Sequence, residues 1–257
     1  SPAQIMPLLE IVRTDSTDQA TLKTALEIGK RLKKTAVVAG VCDGFIGNRM
    51  LNAYLRIAGL LIDAGASPYQ IDLALENWGM AMGPFRMCDM AGNDIDYMIR
   101  KHQLKLNPTK KFSGFADQLF ELKRFGQKTQ KGWYDYSQGN RRGDVDAEVI
   151  ALIDAYRAEK GIQAQQFSDE EIVARCIYAL ANEGFRLLEE GIALRQSDID
   201  VVYLAGYGFP RWRGGPMFYA TEQGLNTMIL NMQQFAQDPT ADASFWQVPA
   251  LLAQSVA

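Results

Sequence analysis

The sequence predicts a mainly α-helical protein in which one helical unit occurs twice, preceded by a short β-α-β unit. Three observations predict this fold class. Apolar residues recur every three or four positions over most of the chain after Ile46. Motifs of the first half return in the second half. Two short apolar runs flank a single helical pattern near the start of the chain.

The β-α-β unit occupies the first 41 residues. Residues 8–13 form an apolar run that carries one carboxylate, Glu10, and residues 35–41 form a β-branched run without polar interruption. Between them, Asp18 precedes a helical pattern and is its predicted N-cap. Because two strands alone make no stable parallel sheet, this unit is expected to be the end of a larger α/β domain.

The helical part begins at a tight turn. Asp43 and Gly44 follow the second strand, and they predict a turn in which Asp43 is the helix N-cap. Asn48 then falls in the first helical turn, where its amide can offer a donor and an acceptor at the carboxyl edge of the strands.

Further helices follow from local signals. Gly65 ends the first long helix, Ser67 and Pro68 begin the next, and Gly79 ends that one. Helices are also predicted after the turn at residues 82–85 and over residues 95–106, 115–124 and 147–160. The aromatic segment around Trp133, Tyr134 and Tyr136 is expected to be buried core between the repeats.

The second half repeats the first. Ile172 and Arg175 match Ile46 and Arg49 at an offset of 126 residues, and the Gly-Pro pair at 215–216 matches the pair at 83–84. A helical unit with an apolar face can bury that face on a copy of itself. We therefore expect a remnant domain over residues 1–43, a first helical domain over 44–145 and a second over 146–257, paired as an intramolecular pseudo-dimer in a monomer.

Composition limits the partners and the compartment. The 257 residues are 47% hydrophobic and 22% charged, with a net charge of −3, and no basic face or membrane-spanning run is visible. These features predict neither a nucleic-acid partner nor membrane insertion. Three widely spaced cysteines predict buried thiols in a reducing compartment, and the last residues lack a Ser-Lys-Leu type address, so a cytoplasmic location is expected.

Four ordered motifs resemble one known family. They are Pro-x-x-x-Met-x-Leu-x-Glu at residues 2–10, Asp-Gly-Phe-Ile-Gly-Asn-Arg at 43–49, Met-Gly-Pro-Phe at 82–85, and Gly-x-Lys-Thr-x-Lys-Gly-Trp-Tyr-Asp-Tyr at 126–136. Together they resemble the NAD-dependent L-3-hydroxyacyl-CoA dehydrogenases. The second copy, with its motif at residues 206–220, resembles the multifunctional, peroxisomal-type enzymes of fatty acid β-oxidation.

The resemblance implies a fold and an activity. The β-α-β unit would be the remnant of a Rossmann-type NAD-binding domain, and the protein would oxidise an L-3-hydroxyacyl-CoA with NAD. Glu10 would hold a catalytic histidine, and Asn48 would bind near the substrate carbonyl. That histidine and the glycine-rich dinucleotide loop would precede Ser1, so this chain alone is expected to be inactive and to bind NAD weakly or not at all.

Three further residues are candidates by the same resemblance. Ser1 and Lys128 would contact the cofactor, and Tyr219 would contact the acyl-CoA substrate. Three of the candidates have a structural alternative: Glu10 as an edge-strand carboxylate, Asn48 as a surface residue of the helix start, and Lys128 as a solvated loop lysine. His102, the single histidine, lies between Lys101 and Gln103 and is predicted to be a surface residue.

Two other functions stay open. The chain could be a non-catalytic helical interaction or dimerisation module, which the missing histidine and glycine-rich loop favour. It could also belong to another two-domain dehydrogenase class, such as the 6-phosphogluconate dehydrogenases or imine reductases, although these are not expected to carry the Gly-x-Lys-Thr motif. The presence of an enoyl-CoA hydratase half in a longer protein is a further expectation from the resemblance.

Overall fold

The computed structural model describes residues 3–256 and confirms a mainly helical fold with a small β-α-β unit. The strands are β1 (Leu8–Val12), β2 (Thr35–Ala39), β3 (Tyr134–Asp135) and β4 (Asp144–Val145). The helices are α1 (Gln19–Arg31), α2 (Gly47–Ala64), α3 (Pro68–Trp78), α4 (Pro84–Ala91), α5 (Asn93–Leu106), α6 (Phe115–Glu121), α7 (Ala147–Lys160), α8 (Asp169–Glu189), α9 (Gln196–Gly206), α10 (Pro216–Gln223), α11 (Leu225–Ala236) and α12 (Ala250–Gln254).

The described residues form two compact units. Unit 1 comprises the described parts of Ser1–Tyr54, Ile177–Gln237 and Ser244–Ala257, and unit 2 comprises Leu55–Cys176 and Asp238–Ala243. Each unit therefore contains residues of both predicted repeats. The three consecutive domains over 1–43, 44–145 and 146–257 stay a prediction.

Unit 1 is organised on a two-stranded parallel sheet. Glu10 of β1 is paired with Val37 of β2. Side chains of a strand alternate between faces, so Leu8 and Glu10 share one face while Leu9 points to the other. Leu9 contacts the position of Gly29 in α1, and Leu8 contacts the position of Gly206 in α9. The sheet of the β-α-β unit is thus covered on the Glu10 face by a helix of the second repeat.

Unit 2 contains a cluster of buried aromatic side chains. Trp133, Tyr134 and Tyr136 are buried, as predicted. The Trp133 ring packs 4.5 Å from that of Phe85 and 5.6 Å from that of Phe115, between centroids. These partners belong to the first repeat, so Trp133 lies in the core of that repeat and not, as predicted, between the repeats.

Local signals place most helix ends correctly. Asp18 accepts a hydrogen bond from Thr21 N at 2.7 Å, Ser67 Oγ accepts one from Gln70 N at 3.1 Å, and Gly79 follows the last residue of α3. The predicted second strand is shorter than expected and ends at Ala39. Cys88 and Cys176 are buried free thiols, whereas Cys42 is only half-buried.

Candidate functional site

The site of interest lies where α2 begins. The first N–H groups of a helix have no partner within the helix and need an acceptor from elsewhere. Here Glu10 Oε1 of β1 accepts from Ile46 N at 2.9 Å and from Gly47 N at 3.3 Å. Glu10 therefore caps α2 from a different element.

This arrangement corrects the predicted N-cap. Asp43 does not cap α2, because the chain first passes through two left-handed residues, Gly44 with φ +81° and Phe45 with φ +48°. A Cβ on Gly44 would lie 2.7 Å from Arg49 N, so glycine is required in this turn. The helix consequently begins later than predicted, and its first N–H groups face Glu10.

Glu10 has opposing influences on its charge. Burial raises the pKa of Glu10 above its ordinary value, while the hydrogen bonds from Ile46 and Gly47 lower it. Among the described residues, Oε2 accepts no hydrogen bond. One carboxylate oxygen is therefore engaged at the helix start, and the other is available to a further donor.

Asn48 is exposed in the first turn of α2, as predicted, and its amide is held from the second repeat. Tyr207, directly after α9, donates a hydrogen bond from its hydroxyl to Asn48 Oδ1 at 2.9 Å. A primary amide has one acceptor oxygen and one NH₂ group with two donors. With Oδ1 bound to Tyr207, the NH₂ group is the end of Asn48 available to a ligand.

The Tyr207 ring reaches Asn48 because residue 47 is glycine. A Cβ on Gly47 would lie 2.3 Å from the Tyr207 hydroxyl oxygen and 2.4 Å from a ring carbon. Tyr203, one helical turn earlier, stacks on Tyr207 with centroids 4.9 Å apart and donates to Gly47 O at 3.3 Å. Sequence reasoning missed both tyrosines, and the signal that could have indicated them is the glycine at position 47, the first residue of α2.

Lys128 lies in unit 2, whereas Glu10 and Asn48 lie in unit 1. Its ammonium group forms an ion pair with Asp94 and lies 5.8 Å from the centre of the Phe125 ring. The side chain is 46% exposed. Its cofactor role stays a prediction.

The other candidates are more weakly connected to the site. Tyr219 is half-buried beside Arg213, whose guanidinium carbon lies 5.5 Å from the ring centre, and no hydrogen bond to Asn48 is formed. Ser1 lies outside the described residues. His102 is exposed, as predicted.

The two helix starts that adjoin the parallel sheet, those of α1 and α2, differ from a pyrophosphate site. Pyrophosphates bind at the free N–H groups of a helix start after a glycine-rich turn. The connection from β1 to α1 contains no glycine, and its hydroxyl groups bond to one another, as Thr14 does to Ser16 and Thr17. At the start of α2 the Glu10 carboxylate already occupies the N–H groups, so an anion there would meet a like charge.

A separate cleft of about 530 Å³ lies in unit 2. Three cations line it, but each is engaged: Arg100 with Asp96 and Asp117, Lys110 with Gln103, and Lys111 with the carbonyl of Ala241. The sequence did not indicate this cleft.

Two family profiles match the chain in order. The NAD-binding domain of 3-hydroxyacyl-CoA dehydrogenase matches residues 1–42, and the C-terminal domain of the same enzyme matches residues 44–136. The second profile covers the Asn48 helix, and the first covers Glu10. The chain belongs to the 3-hydroxyacyl-CoA dehydrogenase family.

Relatives of this family are much longer than the chain. The peroxisomal bifunctional enzyme of Danio rerio is 44% identical over 248 residues, which are 91% of this chain and 34% of that protein. A glyoxysomal fatty acid beta-oxidation multifunctional protein of Cucumis sativus is 37% identical over 242 residues, 92% of this chain and 33% of that protein. The chain thus spans about a third of the length of these relatives.

Two solved structures share the fold. The dehydrogenase part of multifunctional enzyme 1 from C. elegans has a TM-score of 0.74 and 29% identity, covering 98% of this chain and 57% of that one. The 3-hydroxybutyryl-CoA dehydrogenase of Escherichia coli has a TM-score of 0.75 at 19% identity, covering 99% of this chain and 68% of that one, which shows the fold alone. No helix within residues 3–256 has the length and apolarity to cross a bilayer.

Proposed function

We propose that this chain supplies substrate-side residues of an L-3-hydroxyacyl-CoA dehydrogenase of fatty acid β-oxidation, within a longer protein that also carries an enoyl-CoA hydratase. The observation that carries the proposal is the start of α2, where Glu10 of β1 accepts from Ile46 N and Gly47 N and Asn48 is the next residue along the chain. Family membership and the β-oxidation names of the relatives support it. The hydratase half rests on the sequence resemblance alone.

In this reaction, Glu10 holds the general base. A carboxylate that accepts from a histidine Nδ1–H orients the imidazole and stabilises the imidazolium that forms during proton removal. Glu10 suits this task because Oε1 is fixed by two backbone N–H groups while Oε2 accepts no hydrogen bond among the described residues. The histidine itself is contributed from outside this chain, since His102 is a surface residue of unit 2.

Asn48 binds the acyl-CoA substrate. Its NH₂ group donates to the thioester carbonyl, which one methylene carbon separates from the carbon that is oxidised. A fixed donor at this carbonyl orients the substrate so that its hydroxyl faces the general base. Lys128 and Ser1 as cofactor contacts and Tyr219 as a substrate contact remain part of the proposal on the resemblance alone.

NAD is the hydride acceptor in the proposed enzyme, and this chain is expected to bind it weakly or not at all. Carboxylates accept from N–H groups at the starts of α1 and α2, and His102, the single histidine of the sequence, is a surface residue of unit 2. We therefore expect no measurable NADH production from an L-3-hydroxyacyl-CoA by the 257-residue chain. Robust turnover by this chain alone would contradict the proposal.

The decisive experiment changes Glu10 in the longer enzyme. Glu10→Gln keeps an oxygen for the helix start but removes the carboxylate, so kcat should fall by about 10³–10⁴-fold with little change in KM. Glu27→Gln on the exposed face of α1 is the matched control and should leave both constants unchanged. A kcat for Glu10→Gln within twofold of the wild type would rule out the proposed role.

The second candidate function is a helical interaction module without catalysis. The observation that favours it is that carboxylates accept from N–H groups at the starts of α1 and α2. If the longer protein folded normally but showed no dehydrogenase activity with an L-3-hydroxyacyl-CoA and NAD, this candidate would replace the first.

We also propose that the chain is a monomer whose repeats pair within the molecule. Each compact unit contains residues of both repeats, which supports intramolecular pairing. Light scattering coupled to size exclusion should give a mass of about 29 kDa, against a chain mass of 28.7 kDa. A concentration-independent dimer would contradict this.

The compartment needs a direct test. The sequence predicts a cytoplasmic protein, while relatives carry peroxisomal and glyoxysomal names. Imaging of the tagged longer protein beside a peroxisomal marker would decide between the two locations.

A further inference from the structure

The amide of Asn48 can work as a donor only if its NH₂ end faces the substrate. An asparagine side chain presents an acceptor at one end and donors at the other, and rotation by half a turn exchanges them. On an exposed first turn, nothing within α2 itself distinguishes the two orientations. The distinction comes from α9, because the Tyr207 hydroxyl donates to Asn48 Oδ1 at 2.9 Å.

We propose that Tyr207 is a positioning residue of the dehydrogenase site, contributed by the second repeat, which fixes the Asn48 amide with its NH₂ group toward the acyl-CoA carbonyl. This inference rests on the proposed function and deepens it. Tyr207 acts through Asn48 and does not itself touch the substrate. It assigns the second repeat a part in substrate binding as well as in packing.

The Tyr207 ring is held firmly enough for this task. Gly47 lets the hydroxyl approach the backbone of α2, and any side chain at residue 47 would overlap the ring. Tyr203 also stacks on the Tyr207 ring, with centroids 4.9 Å apart and planes 24° apart. The Tyr203 hydroxyl donates to Gly47 O. Two tyrosines one helical turn apart therefore bind neighbouring groups of α2, Tyr203 the Gly47 carbonyl and Tyr207 the Asn48 side-chain oxygen.

The hydroxyl stays a donor over the working pH range. Burial raises the pKa of Tyr207 above its ordinary value, and the nearby charge of Glu10 raises it further. A protonated phenol can donate to an amide oxygen, as Tyr207 does to Asn48 Oδ1, whereas a phenolate has no proton to donate.

A kinetic cycle in the longer enzyme tests the inference. Tyr207→Phe removes the hydroxyl and keeps the ring stacked between Gly47 and Tyr203. We expect kcat/KM for an L-3-hydroxyacyl-CoA to fall about 3–10-fold, the range that one neutral hydrogen bond supplies. In the Asn48→Ala background, Tyr207→Phe should change kcat/KM by less than twofold, because the residue through which it acts is gone.

The control and the outcomes are separable. Tyr156→Phe removes the hydroxyl of another buried tyrosine, in unit 2, and should leave kcat/KM unchanged. If Asn48→Ala is impaired while Tyr207→Phe is not, or if Tyr207→Phe has the same effect in both backgrounds, the inference is overturned and the proposed function stands. If the wild-type enzyme does not oxidise the substrate, both are overturned.

A spectroscopic measurement on the 257-residue chain is independent of turnover. The side-chain NH₂ signals of Asn48 in a ¹⁵N–¹H spectrum are the pair that disappears in Asn48→Ala. In Tyr207→Phe we expect this pair to shift toward the position of solvent-exposed amides, while Tyr156→Phe leaves it in place. An unchanged pair in folded Tyr207→Phe would show that the hydroxyl does not hold the amide.

Discussion

The two repeats begin their long helices in different ways. In the second repeat, α8 begins at Asp169, and Ser168 caps it locally by accepting from Glu171 N at 3.2 Å. The equivalent positions of the first repeat are Cys42 and Asp43, yet α2 begins only at Gly47. The long helix of the first repeat therefore begins one helical turn later than that of the second, and Glu10 of β1 caps it.

The two helix starts share the residues that pack and pair the helices, and they differ at the residues proposed to bind substrate. Ile46 and its equivalent Ile172 are both fully buried, and the equivalent arginines Arg49 and Arg175 both pair with carboxylates. By contrast, Gly47 and Asn48 are replaced by Val173 and Ala174 in the second repeat. The residues that hold the helix in place occur twice, and those proposed to meet the substrate occur once.

A second shared feature is a buried aspartate that caps the next Gly-Pro helix. Asp72 accepts from Phe85 N at 2.9 Å and Arg86 N at 3.0 Å, and Asp200 accepts from Met217 N at 2.8 Å. Asp72 also accepts from the Tyr134 hydroxyl at 2.8 Å, a partner without a counterpart at Asp200. The first-repeat cap is therefore bound into a larger buried network.

The largest expected effect is the loss of stability when the Asp72 cap is removed, compared with the loss at Asp200. Asp72→Ala would leave two backbone N–H groups and a tyrosine hydroxyl without acceptors in a fully buried place. The free energy of unfolding should fall by about 3–5 kcal/mol. Asp200→Ala, which strands fewer donors, should cost about 1–3 kcal/mol. Urea titrations of both variants give the two values, and equal losses would contradict the network argument.

The next largest effect is expected when Asn48 of α2 and its equivalent in α8, Ala174, are each replaced by the other's residue type. Asn48→Ala in the longer enzyme should lower kcat/KM by about 10²-fold, because the donor to the carbonyl is lost. The reciprocal change Ala174→Asn should alter neither kcat nor KM, since Ser168 caps the start of α8 locally, whereas a strand carboxylate caps α2. A gain or loss of activity in Ala174→Asn would show that the second repeat contributes directly to substrate binding.

The pH dependence of the free energy of unfolding tests the raised pKa of Asp72 without removing its oxygen acceptors. Burial raises its pKa from 3.8 to about 7, so the folded protein keeps a proton that the unfolded chain has released. The free energy of unfolding therefore falls as pH rises from about 4 to about 7. Asp72→Asn cannot titrate, so its stability relative to the wild type should improve by at least about 1 kcal/mol between pH 5 and pH 8.

Asp200 provides the internal comparison for this measurement. Burial raises its pKa to about 6, so the corresponding change in Asp200→Asn should be complete at a lower pH. Thermal unfolding of both variants at several pH values would show the order. The same midpoint for the two residues would be evidence against the difference in burial and partners.

The smallest effect concerns the local cap. Ser168→Ala removes the side-chain acceptor at the start of α8 and should cost about 1 kcal/mol, or about 2–4 °C in Tm. The activity of the longer enzyme should be unchanged. This variant contrasts with Glu10→Gln, where the loss should appear mainly in kcat. Loss of activity in Ser168→Ala would contradict a purely structural role for this cap.

Several features could be predicted from the sequence because they depend on neighbours within one helical turn. The caps at Asp18 and Ser67, the helix over Ala147–Lys160 and the place of Asn48 in a first turn all follow from such local rules. The internal repeat and the ordered motifs were also readable from the sequence, and the family profiles confirm the resemblance.

The composition of the site was decided by tertiary structure. Glu10 reaches the start of α2 from 36 residues away, and Tyr207 reaches Asn48 from 159 residues away. Local propensity favoured Asp43 as the cap, but a carboxylate on a packed strand satisfied the same N–H groups after Gly44 and Phe45 had turned left-handed. Capping and periodicity act over three or four residues, whereas the choice of a distant acceptor or donor depends on which elements pack together, and only the folded chain determines that.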